Sequence, residues 1–331
     1  MRSTMKTSTR LGLSLAFAIT LGLTATAHAH AHPLGGIDAS ELAPAARSAL
    51  TSDVARARTE TPELFRQVAD VAKKANELDG ASRLPGAPLT MHFKPLGPRA
   101  LLPMLDMLAF GTNVPSDLTS TAKSALRVGL VEAVGIVRDA RAVPVLAKLA
   151  LKESSDAELT RAAADALGRI ATDDAIVALT TALTAAETSP AVESRGERYH
   201  ALLMGLGASR RPDAVGLLAK KLDAKPSEAT AQAIAKSLGV AGNAWAWKTF
   251  ADRTHEANVR SSAARSLVRI YVAYAGDARS AAAKALLVVD SADTPALIAD
   301  ARKAAAASSS AQDVQRALDD LSVRLSKNPT R

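Results

Sequence analysis

The chain of 331 residues has no cysteine, so it can form no disulfide, carries no lipid-modified cysteine and has no thiol nucleophile. Aromatic residues are only 3% of the total. That scarcity argues against a β-sandwich or barrel, whose strands draw on β-branched and aromatic side chains. The familiar catalytic signatures are missing as well: there is no GxSxG, no Walker A loop and no GxGxxG following a strand. His255-Glu256 does not begin an HExxH pair, because position 259 is Val. Basic residues outnumber acidic ones, 41 to 33, but no polybasic block gathers them. Nucleic-acid binding, which needs denser positive charge interleaved with aromatics, is therefore not expected. Contact with an anionic surface remains open to a mildly basic chain. Beyond residue 29 no run is apolar enough to span a bilayer.

The first 29 residues are a different kind of text. Arg2, Lys6 and Arg10 form a basic start, Leu11 to Leu23 an apolar run, and Ala25-Thr26-Ala27 and Ala27-His28-Ala29 offer small-residue cleavage sites. This is the layout of a secretory signal peptide, and it predicts a periplasmic or secreted protein that is not a lipoprotein. Removing the leader takes three positive charges from the formal +8 and leaves the mature chain near +5.

What is abundant is alanine and leucine in helix-patterned runs, four of which contain Val134-Gly135, Leu167-Gly168, Leu206-Gly207 and Leu238-Gly239, 33, 39 and 32 residues apart. Eight residues beyond the glycines stand Val143, Ile176, Val215 and Trp247; eleven beyond stand Leu146, Leu179, Leu218 and Phe250. A period in this range points to stacked helical hairpins. In the unit Thr160 to Ala185, Ala164, Leu167 and Ile170 share one helical face, Asp173 is expected to cap the next helix, and Ile176, Leu179 and Leu183 face inward. A glycine within a helix costs about 1 kcal/mol relative to alanine. Its recurrence at one place implies a neighbouring helix passing too close for a Cβ. Asp139, Pro212-Asp213 and Asn243 open the other second helices, the last expected to hold both Trp247 and Phe250. Arg127, Arg161 and Arg260 stand near the starts of first helices, and the register breaks after Val268, with Asp277 capping a helix that reaches Leu287. Upstream, Pro62 to Leu78 and Pro98 to Phe110 read as an earlier hairpin. The Pro- and Gly-rich stretch Asp79 to Gly97 between them holds a short β-like run, Leu89 to Phe93.

The pattern of Arg161, Ala164, Leu167-Gly168, Asp173, Ala175-Ile176 and Leu179 resembles HEAT repeats of the short PBS-lyase type, clearly over Thr119 to Arg253 and in degenerate form on both sides. The resemblance implies an all-α fold, an α-solenoid of stacked antiparallel helical hairpins wound into a superhelix, and a binding scaffold more often than an enzyme. The matched positions are packing residues, so no catalytic role is carried over. The expected organisation is a leader over 1–29, a spacer and entry helix over 30–60, the solenoid over 61–326 and a frayed tail over 327–331.

Candidate binding residues follow from that frame. Trp247 takes a core position, whereas Trp245 falls where other units carry polar first-turn residues, and an exposed tryptophan there would make a binding anchor. Lys148 and Lys220, thirteen residues past their glycines, and Lys248 would lie on the concave face formed by the second helices. His92 stands in the unusual loop. His28, His30 and His32 alternate with alanine at the expected mature N-terminus, a spacing that suits Cu(II), Ni(II) or Zn(II). The sequence thus predicts an exported scaffold or adaptor that binds a protein partner and needs no cofactor. A periplasmic metal-handling protein using the His-rich segment is the alternative, and an enzyme without a recognisable motif is a third reading.

Overall fold

Short side chains in the last turns of one set of helices let those helices lie unusually close, and the architecture follows from that. The computed structural model describes residues 32–152, 156–188, 192–250, 252–306 and 311–327. It is all-helical over these residues, with no strand among them, and its helices pack largely against their neighbours in sequence. Among the described residues no helix is long and apolar enough to cross a membrane.

Three helices, α1 (Pro44–Glu60), α2 (Pro62–Lys73) and α3 (Ala75–Gly80), lead to a one-turn α4 (Thr90–Phe93) and then to α5 (Leu101–Phe110). α5 is buried nearly all round, and its Asp106 is enclosed with it, held by Arg58 at 2.6 Å and by the Thr112 hydroxyl at 3.1 Å. Burial pushes the Asp106 carboxyl above its ordinary range, and the Arg58 cation opposes that rise. The pairing makes this carboxylate structural.

Hairpins then follow: α6 (Ser120–Val137) with α7 (Val143–Leu151), α8 (Ala157–Ile170) with α9 (Asp173–Thr188), α10 (Val192–Ala208) with α11 (Pro212–Lys221), and α12 (Glu228–Gly242) with the single turn α13 (Ala244–Trp247). The first helices form a row, α8 lying between α6 and α10, and α12 against α10. Glycines near their C-terminal ends close the seams. A Cβ at Gly135 would sit 2.6 Å from that of Ala166, and one at Gly239 would sit 2.9 Å from that of Ala285. The recurrent glycine is therefore a close-approach residue, as its periodicity predicts. The Ser237 hydroxyl donates to the Leu203 carbonyl across the α10–α12 seam, which satisfies the buried polar group. Leu146, Leu179 and Leu218 are all buried beneath these seams.

Past the repeats lie α14 (Glu256–Ala273), α15 (Gly276–Val289), α16 (Thr294–Ala306) and α17 (Ala311–Ser326). Here the repeat order changes. α12 finds its row neighbour in α15, while α14 packs on α11, α12, α15 and α16. Val268 is larger than the glycine it replaces and is buried, and the helix carrying it does not take the first-helix place that its spacing suggests.

Several local expectations are corrected. Leu89 to Phe93 is not β-like: Leu89 donates its N–H to the Ala125 carbonyl at 3.0 Å, and α4 begins at once so that Phe93 can be buried. A Cβ at Gly129 would come within 2.6 Å of the Leu89 nitrogen, so the loop docks on α6 at a site left bare for it. Asp173 lies inside α9, and Thr172 Oγ1 accepts from the Ala175 N–H instead. Asp277 also lies inside its helix, its N–H donating to Glu228 Oε1 at 2.8 Å, and the helix runs to Val289. Phe250 falls outside the single turn opened by Asn243. Arg127 lies two turns into α6, where it bonds the Leu34 and Gly35 carbonyls and pairs with Asp156. The stretch after residue 32 is no loose spacer either, since Leu34, Ile37 and Leu42 are buried and Lys152 holds the Gly36 carbonyl at 2.6 Å.

Candidate functional site

Asn243 organises one end of the site. Its Oδ1 accepts from the N–H groups of Trp245 at 3.0 Å and Ala246 at 3.1 Å, and so caps the short turn α13. Within one turn the two tryptophans diverge. Trp247 is buried and donates from Nε1 to the Ala241 carbonyl at 2.9 Å, which settles its only polar atom. Trp245 keeps 63% of its surface exposed, with the Lys248 ammonium 4.3 Å from its ring centroid. The indole face and the cation attract one another, so the pair is presented together. Of the sequence-predicted contact residues, these two are brought together.

A groove of ≈ 530 Å³ runs between α12 and α15 and ends at Asn243, two residues before Trp245. Its narrow floor is the Gly239–Ala285 approach. One bank carries Gln232, Lys236 and Val240, the other Asp277, Lys284 and Val288, and Met204 of α10 adds a flexible apolar contact. Lys236 and Lys284 are both exposed, against the single carboxylate of Asp277. The field of Lys236 extends to His200 on α10, whose imidazole is held below its usual value first by burial and then by that lysine. The groove therefore combines apolar walls with a positive middle, and the turn bearing the exposed Trp245 begins at its Asn243 end. That arrangement suits recognition of an extended segment bearing acidic and apolar side chains.

The other candidates lie apart from the groove. Lys148 is half-buried on α7, Lys220 is exposed on α11, and neither lines it. His92 is exposed on α4 beside Met91, itself 68% exposed. His28 and His30 lie outside the described residues. His32 is partly enclosed: its Nδ1 accepts from the Leu34 N–H at 3.3 Å, its Nε2 is buried without a partner, and burial lowers its pKa. Among the described residues no three His, Asp or Glu side chains gather as metal ligands would.

Lys236 and Lys284 are not marked out as a pair by the sequence, because α15 takes its place beside α12 only in the folded chain. A signal existed in the spacing of Gln232, Lys236 and Val240, which puts one lysine in the middle of a solvent-facing stripe. No protein-family model matches the chain, and no curated protein matches it.

Proposed function

We propose that the protein is an exported HEAT-like α-solenoid acting as a binding scaffold, and that it grips a protein partner along the α12–α15 groove and over Trp245. The signal-peptide pattern of the first 29 residues supports export. The single observation that carries the reading is a groove flanked by the exposed Lys236 and Lys284 that ends at Asn243, the residue capping the turn on which Trp245 is exposed. Large rigid aromatics supply much of the binding energy at protein interfaces, and lysines around them set the sign of the partner. The partner surface is accordingly acidic and partly apolar.

Affinity capture from envelope extracts with wild type and Trp245→Ala tests this. A partner retained by wild type and depleted by the variant, with both proteins equally folded by circular dichroism, supports the reading. Equal retention by both removes Trp245 from the surface.

A further inference from the structure

The C-terminal ends of the first helices carry a second feature, which does not rest on the groove. An arginine with a left-handed backbone directly follows α6 and another stands two residues past α10, Arg138 at φ 59° and Arg210 at φ 51°. Ala171 follows α8 in the same way, so this turn geometry belongs to the repeat, while the arginines belong to two of its copies. A branched or long side chain pays about 1 kcal/mol or more for such a backbone, which is why glycine is the usual residue there. Although α8 lies between α6 and α10, the side chains of both arginines reach Phe250. Its ring lies 5.2 Å from the Arg138 guanidinium and 5.0 Å from that of Arg210. Trp247, buried behind it with ring centroids 5.5 Å apart, fixes the ring in place.

The charge at this point is not balanced. Arg169 is nearby and paired with Asp165 at 2.7 Å, but neither Arg138 nor Arg210 has a carboxylate partner among the described residues. Arg210 is half-buried, donates from one terminal nitrogen to the Ala208 carbonyl at 3.3 Å, and has a buried Nε–H with no acceptor. Its guanidinium pKa is lowered by burial first and then by Arg138 and Arg169, and the Asp165 carboxylate, which pairs with Arg169, opposes them only in part. Attraction to the helix dipole accounts for cations at helix C-termini in general. It does not account for gathering uncompensated arginines around one ring, with an N–H enclosed and unmet. Elsewhere on the same edge the arginines are matched: Arg141 with Asp139 at 2.7 Å, and Arg211 with Asp173 at 2.7 Å and Asp213 at 2.9 Å.

We propose that Arg138 and Arg210, set about Phe250, form a binding site for an oxyanion group, a phosphate or a carboxylate. Guanidinium N–H groups left without a carboxylate donate charge-assisted hydrogen bonds to such oxygens. Phe250 holds both cations in position without neutralising them. Arg138 is exposed and Arg210 half-buried, so an anion from solvent meets Arg138 first.

The test is titration calorimetry of the full chain with inorganic phosphate and, separately, with acetate, at low salt and again at about 0.15 M sodium chloride. Saturable single-site binding of at least one anion is expected. Binding of phosphate alone assigns the site to phosphoryl groups, and binding of acetate as well assigns it to carboxylates too. Arg138→Gln and Arg210→Gln are each expected to weaken the affinity about tenfold or more, the value of a lost charge-assisted hydrogen bond. Arg141→Gln on the same edge and Trp245→Ala should bind like wild type. Should Arg210→Gln fail to fold, the exposed Arg138→Gln decides alone. The proposal is overturned if neither anion binds wild type saturably, or if Arg138→Gln binds as tightly.

Discussion

Gly135 and Ala166 meet across the α6–α8 seam with no space for another carbon, since a methyl group at residue 135 would lie 2.6 Å from the Ala166 Cβ. The same relationship recurs along the row, where Gly168 faces Gly205 and Ala208, Gly207 faces Ser237, and Gly239 faces Ala285. Each glycine sacrifices helix propensity for close approach.

Gly135→Ala should therefore destabilise the protein by about 1–3 kcal/mol, the usual cost of forcing an extra carbon into a packed seam. Gly216, on α11, has nothing within 4 Å of the position a Cβ would take. Gly216→Ala should stabilise by about 0.5–1 kcal/mol through helix propensity alone. Urea unfolding of both variants beside wild type measures the contrast. Two shifts of the same sign would contradict the seam.

Leu179 is fully buried in α9, whereas Val177, two residues earlier, is 62% exposed. Leu179→Ala is expected to cost about 2–5 kcal/mol, and Val177→Ala less than about 0.5 kcal/mol. Thermal or urea denaturation distinguishes them, and equal losses would misplace the inward face of α9.

Two imidazoles link stability to pH. His32 and His200 are both held below the ordinary value of 6.5, chiefly by burial. The folded state therefore binds fewer protons than the unfolded chain near that pH. The stability they contribute is full above 6.5 and is lost as pH falls through their lowered folded values. Protonation of His32 on Nδ1 would also remove the acceptor used by the Leu34 N–H. The urea midpoint should rise between about pH 5 and about pH 8. His32→Asn combined with His200→Gln should flatten that rise, and an unchanged slope would contradict the assignment.

The row of first helices was legible in the sequence because its cause is local and repeated: one glycine, then large apolar residues at fixed offsets. Trp245 was legible too, since Trp247 claims the core offset and leaves its neighbour outside. Lys236 and Lys284 were not, because they become partners only when α12 selects α15 over α14, a pairing 48 residues apart in the chain that no period announces. The convergence on Phe250 was hidden for a related reason. The offset rule assigns that residue to the core, yet α13 ends after one turn and leaves its ring among the helix ends. Thr172 displaced Asp173 as cap because a hydroxyl one residue earlier reaches the same free amide, freeing the carboxylate for Arg211.

The measurement that bears most directly on the scaffold reading is capture of the same envelope partner by two charge-reversed proteins. Lys236→Glu/Lys284→Glu reverses the banks of the α12–α15 groove, and Lys148→Glu/Lys220→Glu reverses lysines on the second-row helices α7 and α11. The groove variant should lose the partner while the second-row variant keeps it. Retention by the groove variant, with loss by the other, would place the binding surface on the second-row helices.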